Sequence, residues 1–290
     1  MQKVSVIDLG SSSVRLMQVQ NGVVLSKRGI VTRLAENKLD GYLQKDNMLV
    51  TTKVVIDFVE EAKAFGGDIY IFATASLRNS KNGQEYAEFL SNVTGVKVDI
   101  VGGEQEAEIG LLGALGGKDG AIIDIGGGST EIIVAKDKKI IYEKSLALGG
   151  VVLKSLSGAS VEQAKNIVKE QVGSFFGKVP NSHFTGIGGT ITCITAIVLG
   201  LKVYDSKKVH GYLLSKKDVS YAEEYLLSHT AEEVAKETCV QLKRAEILPF
   251  GLQILKEIFS LLNLDTILVS ESDNLEGYLL KKGGQAYENG

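Results

Sequence analysis

Two stretches of the chain repeat the same order of residue types, and this repeat constrains the fold more than any other feature. In each stretch an apolar strand ends in an aspartate, a turn of small and hydroxyl residues follows, and a second apolar strand returns. The first copy occupies residues 4–19 and the second residues 121–134. A turn built twice predicts two related α/β domains with a cleft between them.

The composition of the two turns indicates phosphate binding. Glycine lets the backbone adopt positive φ and approach a ligand closely, while successive N–H groups and hydroxyls donate to an anion. Carboxylates at the turn ends are poorly placed to bind phosphate directly. They are compatible with phosphate binding if a divalent cation or a water lies between them and the phosphate. A single such turn is also compatible with a plain hairpin. The predicted phosphate contacts are Gly10, Ser11, Ser12, Ser13, Gly126, Gly127, Gly128, Ser129 and Thr130.

Length and composition narrow the class of protein. A chain of 290 residues exceeds one typical domain, and its 44% hydrophobic and 23% charged residues are ordinary for a globular enzyme. The net charge of −3 offers no basic field, which argues against nucleic acid as a partner. The first residues are expected to form a strand and not a signal peptide, and the sequence has no apolar run of ~20 residues and only two cysteines. We therefore expect a cytoplasmic protein with no membrane partner.

The pattern of apolar residues predicts alternating strands and helices. Three strands open the chain, the second and third joined by a hairpin at Asn21-Gly22. We predict a helix over 51–65 with Thr51 or Thr52 as its cap, and a continuous helix over 232–248. A glycine-rich link near residues 116–120 places the domain boundary, which gives domains 1–118 and 119–275. A C-terminal helix over about 276–290 is expected to pack back on the first domain.

Further candidate site residues lie outside the two turns, and each has a plainer interpretation. Gly188, Gly189 and Thr190 join a strand to an apolar helix, as in phosphate-binding junctions or simply close helix–strand packing. Arg33, in a loop, is either a phosphate contact or a solvated charge, and the same holds for Arg78 at a strand end. Glu106, in a first helical turn, is either a dipole partner or a general base in the cleft.

The order of these segments resembles the exopolyphosphatase/guanosine pentaphosphate phosphatase family (Ppx/GppA), within the actin, Hsp70 and sugar kinase superfold. The segments that carry the resemblance are 8–16, 32–34, 73–82, 103–107, 124–131, 186–192 and 244–246. They span nearly the whole chain. The resemblance implies an α/β fold of duplicated ribonuclease H-like domains with an interdomain cleft.

The resemblance also implies an activity and roles for residues. The expected reaction removes the terminal phosphate of inorganic polyphosphate or the 5′ γ-phosphate of guanosine pentaphosphate. Glu106 matches the family's catalytic glutamate, and Arg15 and Arg78 join the predicted substrate contacts. The carboxylates expected to place Mg²⁺, or alternatively Mn²⁺, are Asp8, Asp124 and Glu131.

The chain departs from the family pattern at three motifs. Gln105 precedes the catalytic position where the family has glutamate, and Glu246 replaces the aspartate of Arg-Ala-Asp. Leu275 replaces an arginine near the C-terminus, which puts one anion contact in doubt. The chain is also expected to be the short, two-domain form without a helical C-terminal extension.

Two other functions share these motifs. A kinase or phosphotransferase of the same superfold would use both phosphate turns but pass phosphate to ADP or a small molecule. An actin-like nucleotide-switch protein would polymerise. The sequence leaves open the preferred substrate, the polyphosphate length and whether the chain forms a homodimer.

Overall fold

The computed structural model describes residues 2–284 and divides into two compact units. Unit 1 comprises the chain up to Gly116 together with the C-terminal segment from Asn274, and unit 2 comprises Gly117–Asp273. Positions 285–290 of the predicted C-terminal helix lie outside the described residues. Between residues 2 and 284, no helix combines the length and apolar character needed to cross a membrane.

Unit 1 is built on a five-stranded mixed sheet in the order β3-β2-β1-β4-β5. Its strands are β1 (Lys3–Leu9), β2 (Ser13–Gln20), β3 (Val23–Val31), β4 (Asp68–Ala73) and β5 (Val98–Ile100). The first three strands are antiparallel neighbours, and β4 and β5 run parallel to β1. Asn21 and Gly22 have φ of 50° and 82°, as the predicted two-residue hairpin turn requires.

The helices of unit 1 cover both faces of this sheet. They are α1 (Lys45–Phe65), α2 (Ala75–Arg78), α3 (Gly83–Thr94), α4 (Gly103–Leu115) and the C-terminal helix α13 (Asn274–Lys281). The predicted cap of α1 at Thr51 or Thr52 was wrong, because the helix begins at Lys45 with Gln44 as N-cap. None of its residues 45–50 is buried, so the apolar period that marks a buried helix starts only near Thr51.

Unit 2 repeats the sheet of unit 1 with one strand added. Its order is β10-β11-β9-β6-β7-β8. The strands are β6 (Gly120–Ile125), β7 (Thr130–Lys136), β8 (Lys139–Leu146), β9 (Phe184–Ile187), β10 (Leu213–Ser215) and β11 (Thr266–Val269). As in unit 1, three antiparallel strands are followed by two parallel ones, and β10 is added antiparallel at the edge. The shared order and directions confirm the predicted duplication.

Eight helices are assigned to unit 2 among the described residues. They are α5 (Gly150–Leu156), α6 (Val161–Phe176), α7 (Gly188–Val198), α8 (Ser206–Val209), α9 (Lys216–Ser228), α10 (Ala231–Glu237), α11 (Leu242–Ala245) and α12 (Leu248–Leu261). The predicted continuous helix over 232–248 is wrong. The chain leaves the helical path after Glu237, where the N–H of Cys239 donates to Leu201, and Pro249 sits in the first turn of α12. Proline favours a helix start because its missing N–H has no partner there.

Each unit has its own hydrophobic core. In unit 1, one cluster lies between the sheet and helices α1 and α3, and a second joins the opposite face to α4 and α13. In unit 2, a single large cluster includes residues of β6, β7 and β9 and of the helices from α5 to α12. Packed elements on both faces of each sheet thus fix the carboxyl ends of the central strands. The candidate site residues begin at these ends.

Candidate functional site

The candidate residues of unit 1 meet at the carboxyl ends of β1, β4 and β5. Asp8 is aligned with Phe72 in the parallel register of β1 and β4, and Ala73 is aligned with Ile100 of β5. Helix α2, which ends in Arg78, is joined to the end of β1 because the Ser76 hydroxyl donates to the Leu9 carbonyl at 3.0 Å. Ligands of α/β folds bind at this edge of the sheet.

Arg15 holds the carboxylate of Asp8. The two residues face each other across β1 and β2, and Nε and an Nη of Arg15 donate to one Asp8 oxygen at 2.9 and 2.5 Å. The Asp8 side chain is 5% exposed. A buried carboxylate needs such a charged partner. The structure shows that the Arg15 guanidinium orients Asp8, and its predicted contact with phosphate stays a prediction.

Arg78 likewise binds Glu106. One guanidinium nitrogen donates to Glu106 at 2.6 Å and to the carbonyl of Val101 at 2.8 Å. Burial raises the pKa of Glu106 above its usual range, an effect that Arg78 opposes and that the nearby Asp8 charge increases. Thr74, which lies outside the predicted site set, also lowers the Glu106 pKa through a hydrogen bond to the charged form. Its only signal in the sequence is its position just after β4.

The first turn is closed and supported from one side. The N–H of Gly10 donates to Ser13 at 3.0 Å, and the carbonyls of Ser11 and Ser12 accept N–H groups from residues 32–35 at 2.9–3.0 Å. Across a trans peptide the carbonyl and the following N–H point in opposite directions. The N–H of Ser12 therefore points away from the 32–35 loop, as a ligand-binding turn requires.

The loop that supports this turn contains Arg33. Its N–H donates to Ser12 at 2.9 Å, which places it directly beside the turn, and its side chain is 19% exposed and 3.7 Å from Glu36. Its φ of 56° is uncommon for a residue other than glycine. Such backbone strain is often found at functional positions. The predicted loop position of Arg33 is confirmed.

The second turn repeats this construction in unit 2. The N–H of Gly126 donates to Ser129 at 3.0 Å, the same bond as in the first turn. N–H groups at the start of α5 donate to the carbonyls of Gly126 and Gly127, so the N–H groups of Gly127 and Gly128 point away from α5.

The turn glycines have ordinary backbone conformations. None of Gly10, Gly126, Gly127 and Gly128 adopts a positive φ. A Cβ on Gly149 would come within 2.5–2.6 Å of backbone atoms of Gly126 and Gly127. The absence of a side chain at Gly149 therefore permits the close approach of α5 to the turn.

The Asp–Arg pair of unit 1 is replaced in unit 2 by two carboxylates. Asp124 and Glu131 face each other across β6 and β7 in the register that Asp8 and Arg15 occupy. Ser145 donates to Glu131 at 2.6 Å. Like charges opposite each other destabilise a sheet unless a positive charge is near. Thr130, predicted to contact phosphate, is fully buried and its hydroxyl donates to the Leu148 carbonyl at 2.7 Å.

The strand–helix junction of the predicted third phosphate turn lies next to Asp124. Gly188 has a φ of 82°, and a Cβ there would overlap a carboxylate oxygen of Asp124. A Cβ on Gly189 would overlap the guanidinium of Arg244, so this cation lies over the first turn of α7. Arg244 was outside the predicted site, although it belongs to a segment that matched the family. The Thr190 side chain packs on Gly251.

Each unit carries carboxylates of the kind that a hard divalent cation binds. Asp8 in unit 1, and Asp124 and Glu131 in unit 2, offer the oxygen ligands that Mg²⁺ prefers. Within residues 2–284, no group of three or more His, Cys, Asp and Glu side chains could hold a metal ion. Mg²⁺ is commonly bound by one or two carboxylates with waters and substrate phosphates, so the paired carboxylates of Asp124 and Glu131 fit this mode.

Comparison with known proteins identifies similar chains. The Ppx/GppA phosphatase family matches residues 14–285. A bifunctional 3-dehydroquinate synthase/phosphatase of Fusobacterium nucleatum is 28% identical over 95% of this chain and 46% of its own length. Exopolyphosphatase 2 of Mycobacterium tuberculosis is 24% identical, over 97% of this chain and 99% of its own. A guanosine-5′-triphosphate,3′-diphosphate pyrophosphatase of Photobacterium profundum is 25% identical, over 96% and 57%.

The chain therefore spans about half the length of two of these relatives and nearly all of the third. Among solved structures, the Ppx/GppA family member of Aquifex aeolicus superimposes with a TM-score of 0.77 at 27% identity, over 97% of each chain. With the repeated strand order, this likeness confirms the duplicated ribonuclease H-like fold.

Proposed function

Because the chain belongs to the Ppx/GppA phosphatase family, it is a hydrolase of phosphoanhydrides, and we propose that it removes the terminal phosphate of inorganic polyphosphate or the 5′ γ-phosphate of guanosine pentaphosphate. Glu106 is the general base of the proposed reaction. The relatives named above as an exopolyphosphatase and a guanosine pyrophosphatase support these two substrates.

The main support for this proposal is the environment of the Glu106 side chain. Its side chain is only 14% exposed, lies in the first turn of α4 and is oriented by Arg78 at 2.6 Å. Burial raises the Glu106 pKa, and a carboxylate with a raised pKa is a stronger base near neutral pH. Glu106 accepts the proton of the attacking water, and Arg78 fixes the direction from which the carboxylate accepts it.

The turns supply the electrostatic part of the mechanism. Phosphoryl transfer depends mainly on positioning and on donors that face the charge of the transferring group. The N–H groups of Ser12, Gly127 and Gly128 point away from the elements that support their turns. Asp8 in unit 1 and the paired Asp124 and Glu131 in unit 2 each offer carboxylate oxygens that would hold Mg²⁺, and the metal would neutralise phosphate charge. Arg15 orients the Asp8 carboxylate through two hydrogen bonds.

One substrate panel tests the function. Phosphate release is measured from polyphosphates of several lengths and from guanosine pentaphosphate, each with and without Mg²⁺. Release that requires the metal is expected for at least one substrate. A parallel arm contains ADP with polyphosphate, and ATP formation there would identify a phosphotransferase instead. Absence of phosphate release from every substrate would overturn the proposed hydrolase.

Glu106→Gln tests the base. The variant keeps an acceptor for Arg78 but cannot take a proton, so we expect kcat to fall by about 10²–10⁴ while KM changes little. Glu104→Gln is the matched control, because Glu104 is an exposed acid in the same first turn of α4. Glu104→Gln should keep wild-type kcat. Wild-type turnover in Glu106→Gln would show that another group removes the proton.

A further inference from the structure

Helix α13 lies against helix α4 at a point where neither has room for another atom. A Cβ built at Gly277 would overlap the carbonyl oxygen of Ile109 and lie 2.6 Å from its carbonyl carbon and 3.0 Å from the nitrogen of Gly113. Ile109 and Gly113 are four residues apart in α4, so this carbonyl and this N–H are partners in the helix. The backbone of α13 therefore rests directly on the backbone of α4.

The contact lies one turn from Glu106. Glu106 precedes Ile109 by three residues in α4, which is about 4.5 Å along the helix axis. Among the elements of the described chain, α4 packs most extensively against α13. Ile109 is buried in the cluster that also contains Leu275 and Leu279 of α13. Because packed interiors transmit small displacements, a shift of α4 at Ile109 reaches Glu106.

Helix α13 is fixed to the sheet by contacts that do not involve α4. The ring of Tyr278 stacks on Phe72 with centroids 4.4 Å apart and planes at 10°, and its hydroxyl donates to Asp99 at 2.6 Å. Glu276 pairs with Lys27 of β3 at 3.0 Å. Phe72 is the register partner of Asp8. The helix is thus a spacer between the sheet that carries Asp8 and the helix that carries Glu106.

On the basis of the hydrolase function proposed above, we propose that Gly277 is a positioning residue for Glu106. Because Gly277 has no side chain, α13 packs directly on the backbone of α4. This close packing sets the distance between the Glu106 carboxylate and the Arg78 guanidinium. The contact between those groups is 2.6 Å, so a displacement of α4 by about 1 Å removes it. Misplacement of a catalytic group by this amount costs up to about 10²-fold in rate.

Gly277→Ala tests the proposal against a matched control. Gly277 lies in a helix without positive φ, so the added methyl acts by contact and not through the backbone conformation. Gly173→Ala makes the same change inside α6, where nothing lies within 4 Å of the new Cβ. We expect Gly277→Ala to lower kcat about tenfold or more with KM within about twofold of wild type. Gly173→Ala should leave both constants unchanged.

A crystal structure of the Gly277→Ala variant gives a readout that needs no activity. The distance between Glu106 and Arg78 should lengthen beyond hydrogen-bonding range. If the wild-type chain released no phosphate, the proposed function would fail while this distance still tested Gly277. If Gly277→Ala does not fold, Tyr278→Phe loosens α13 more gently by removing the bond to Asp99, and a smaller loss of kcat at constant KM is expected. Unchanged kcat in a folded variant, or an unchanged Glu106–Arg78 distance, overturns the positioning role.

Discussion

At the scale of single residues, the candidate site of unit 1 places carboxylates in surroundings that disfavour their charge. Burial raises the pKa of Glu106, and the negative charge of Asp8 adds to the effect. Arg78 opposes both effects by direct contact with Glu106. Arg15 makes a comparable contact with the buried carboxylate of Asp8, so each carboxylate is paired with one guanidinium.

The raised pKa of Glu106 predicts how the activity depends on pH. Activity requires the ionised base, so kcat/KM should fall as pH decreases through the Glu106 pKa, which lies above the ordinary value of 4.5. Arg78→Gln removes the positive charge that lowers this pKa, so the acid limb of the profile should move to higher pH. Arg78→Lys retains the charge and should move it less.

The measurement is the pH profile of phosphate release for the wild type and both variants. A limb at the pH of an ordinary glutamate, or a downward shift in Arg78→Gln, would contradict the assignment of this limb to Glu106.

At the scale of elements, neighbouring segments support both predicted phosphate turns through backbone hydrogen bonds. The same N–H to carbonyl bond closes both, at Gly10 and at Gly126. A loop supports the first and helix α5 the second, which fixes the direction of the turn N–H groups. The junction between β9 and α7 adds a steric contact, because Gly188 lies against the carboxylate of Asp124.

Gly188→Ala should therefore lower the free energy of unfolding by more than the strain of a left-handed backbone conformation alone would. Gly200→Ala is the control, since Gly200 also has a positive φ (63°) but nothing within 4 Å of a new Cβ. We expect Gly200→Ala to cost roughly 1–2 kcal/mol from the left-handed conformation alone. Gly188→Ala should cost about 1–3 kcal/mol more from overlap with Asp124, and it should also reduce phosphate release.

Urea unfolding gives the loss in free energy of unfolding for each variant. The difference between the two losses is the cost of the overlap with Asp124. Equal costs in the two variants would mean that Asp124 moves aside freely.

At the scale of the whole molecule, the two units differ in how the chain builds them. Unit 2 is one continuous segment with its own core, whereas unit 1 needs α13 from the far end of the chain. Leu275, Tyr278 and Leu279 of α13 share a cluster with Val6 and Phe72 of the sheet. Without α13, that apolar face would be exposed to water.

Fragments test this difference. We expect residues 117–273 to fold alone and to unfold cooperatively on heating, because their sheet and core are internal to the fragment. Residues 1–116 alone should aggregate, and residues 274–284 attached through a Gly/Ser linker should restore a soluble fold. Circular dichroism and sedimentation report both properties. A soluble, cooperatively folded 1–116 fragment would show that α13 is dispensable for unit 1.

Much of this architecture follows from short-range sequence patterns. The hairpin at Asn21 and Gly22, the Ser160 cap of α6 and the paired strands around each turn are local, so residue type and spacing predict them. The start of α1 and the breaks between α10 and α12 were not predicted, because exposed polar turns and a remote partner such as Leu201 leave no periodic signal.

The sequence by itself determined the duplicated fold, which shows as a repeated order of strand, turn and strand, and which residue types form the two turns. Antiparallel hairpins and tight turns depend on neighbours a few residues apart. Only the tertiary structure decided that Arg15 pairs with Asp8 and Arg78 with Glu106. It also decided that Gly277 contacts the backbone of Ile109. Both arginines stay predicted phosphate contacts, and the sequence did not indicate their carboxylate partners, since a guanidinium suits phosphate and carboxylate alike. Which partner it meets depends on how distant segments pack.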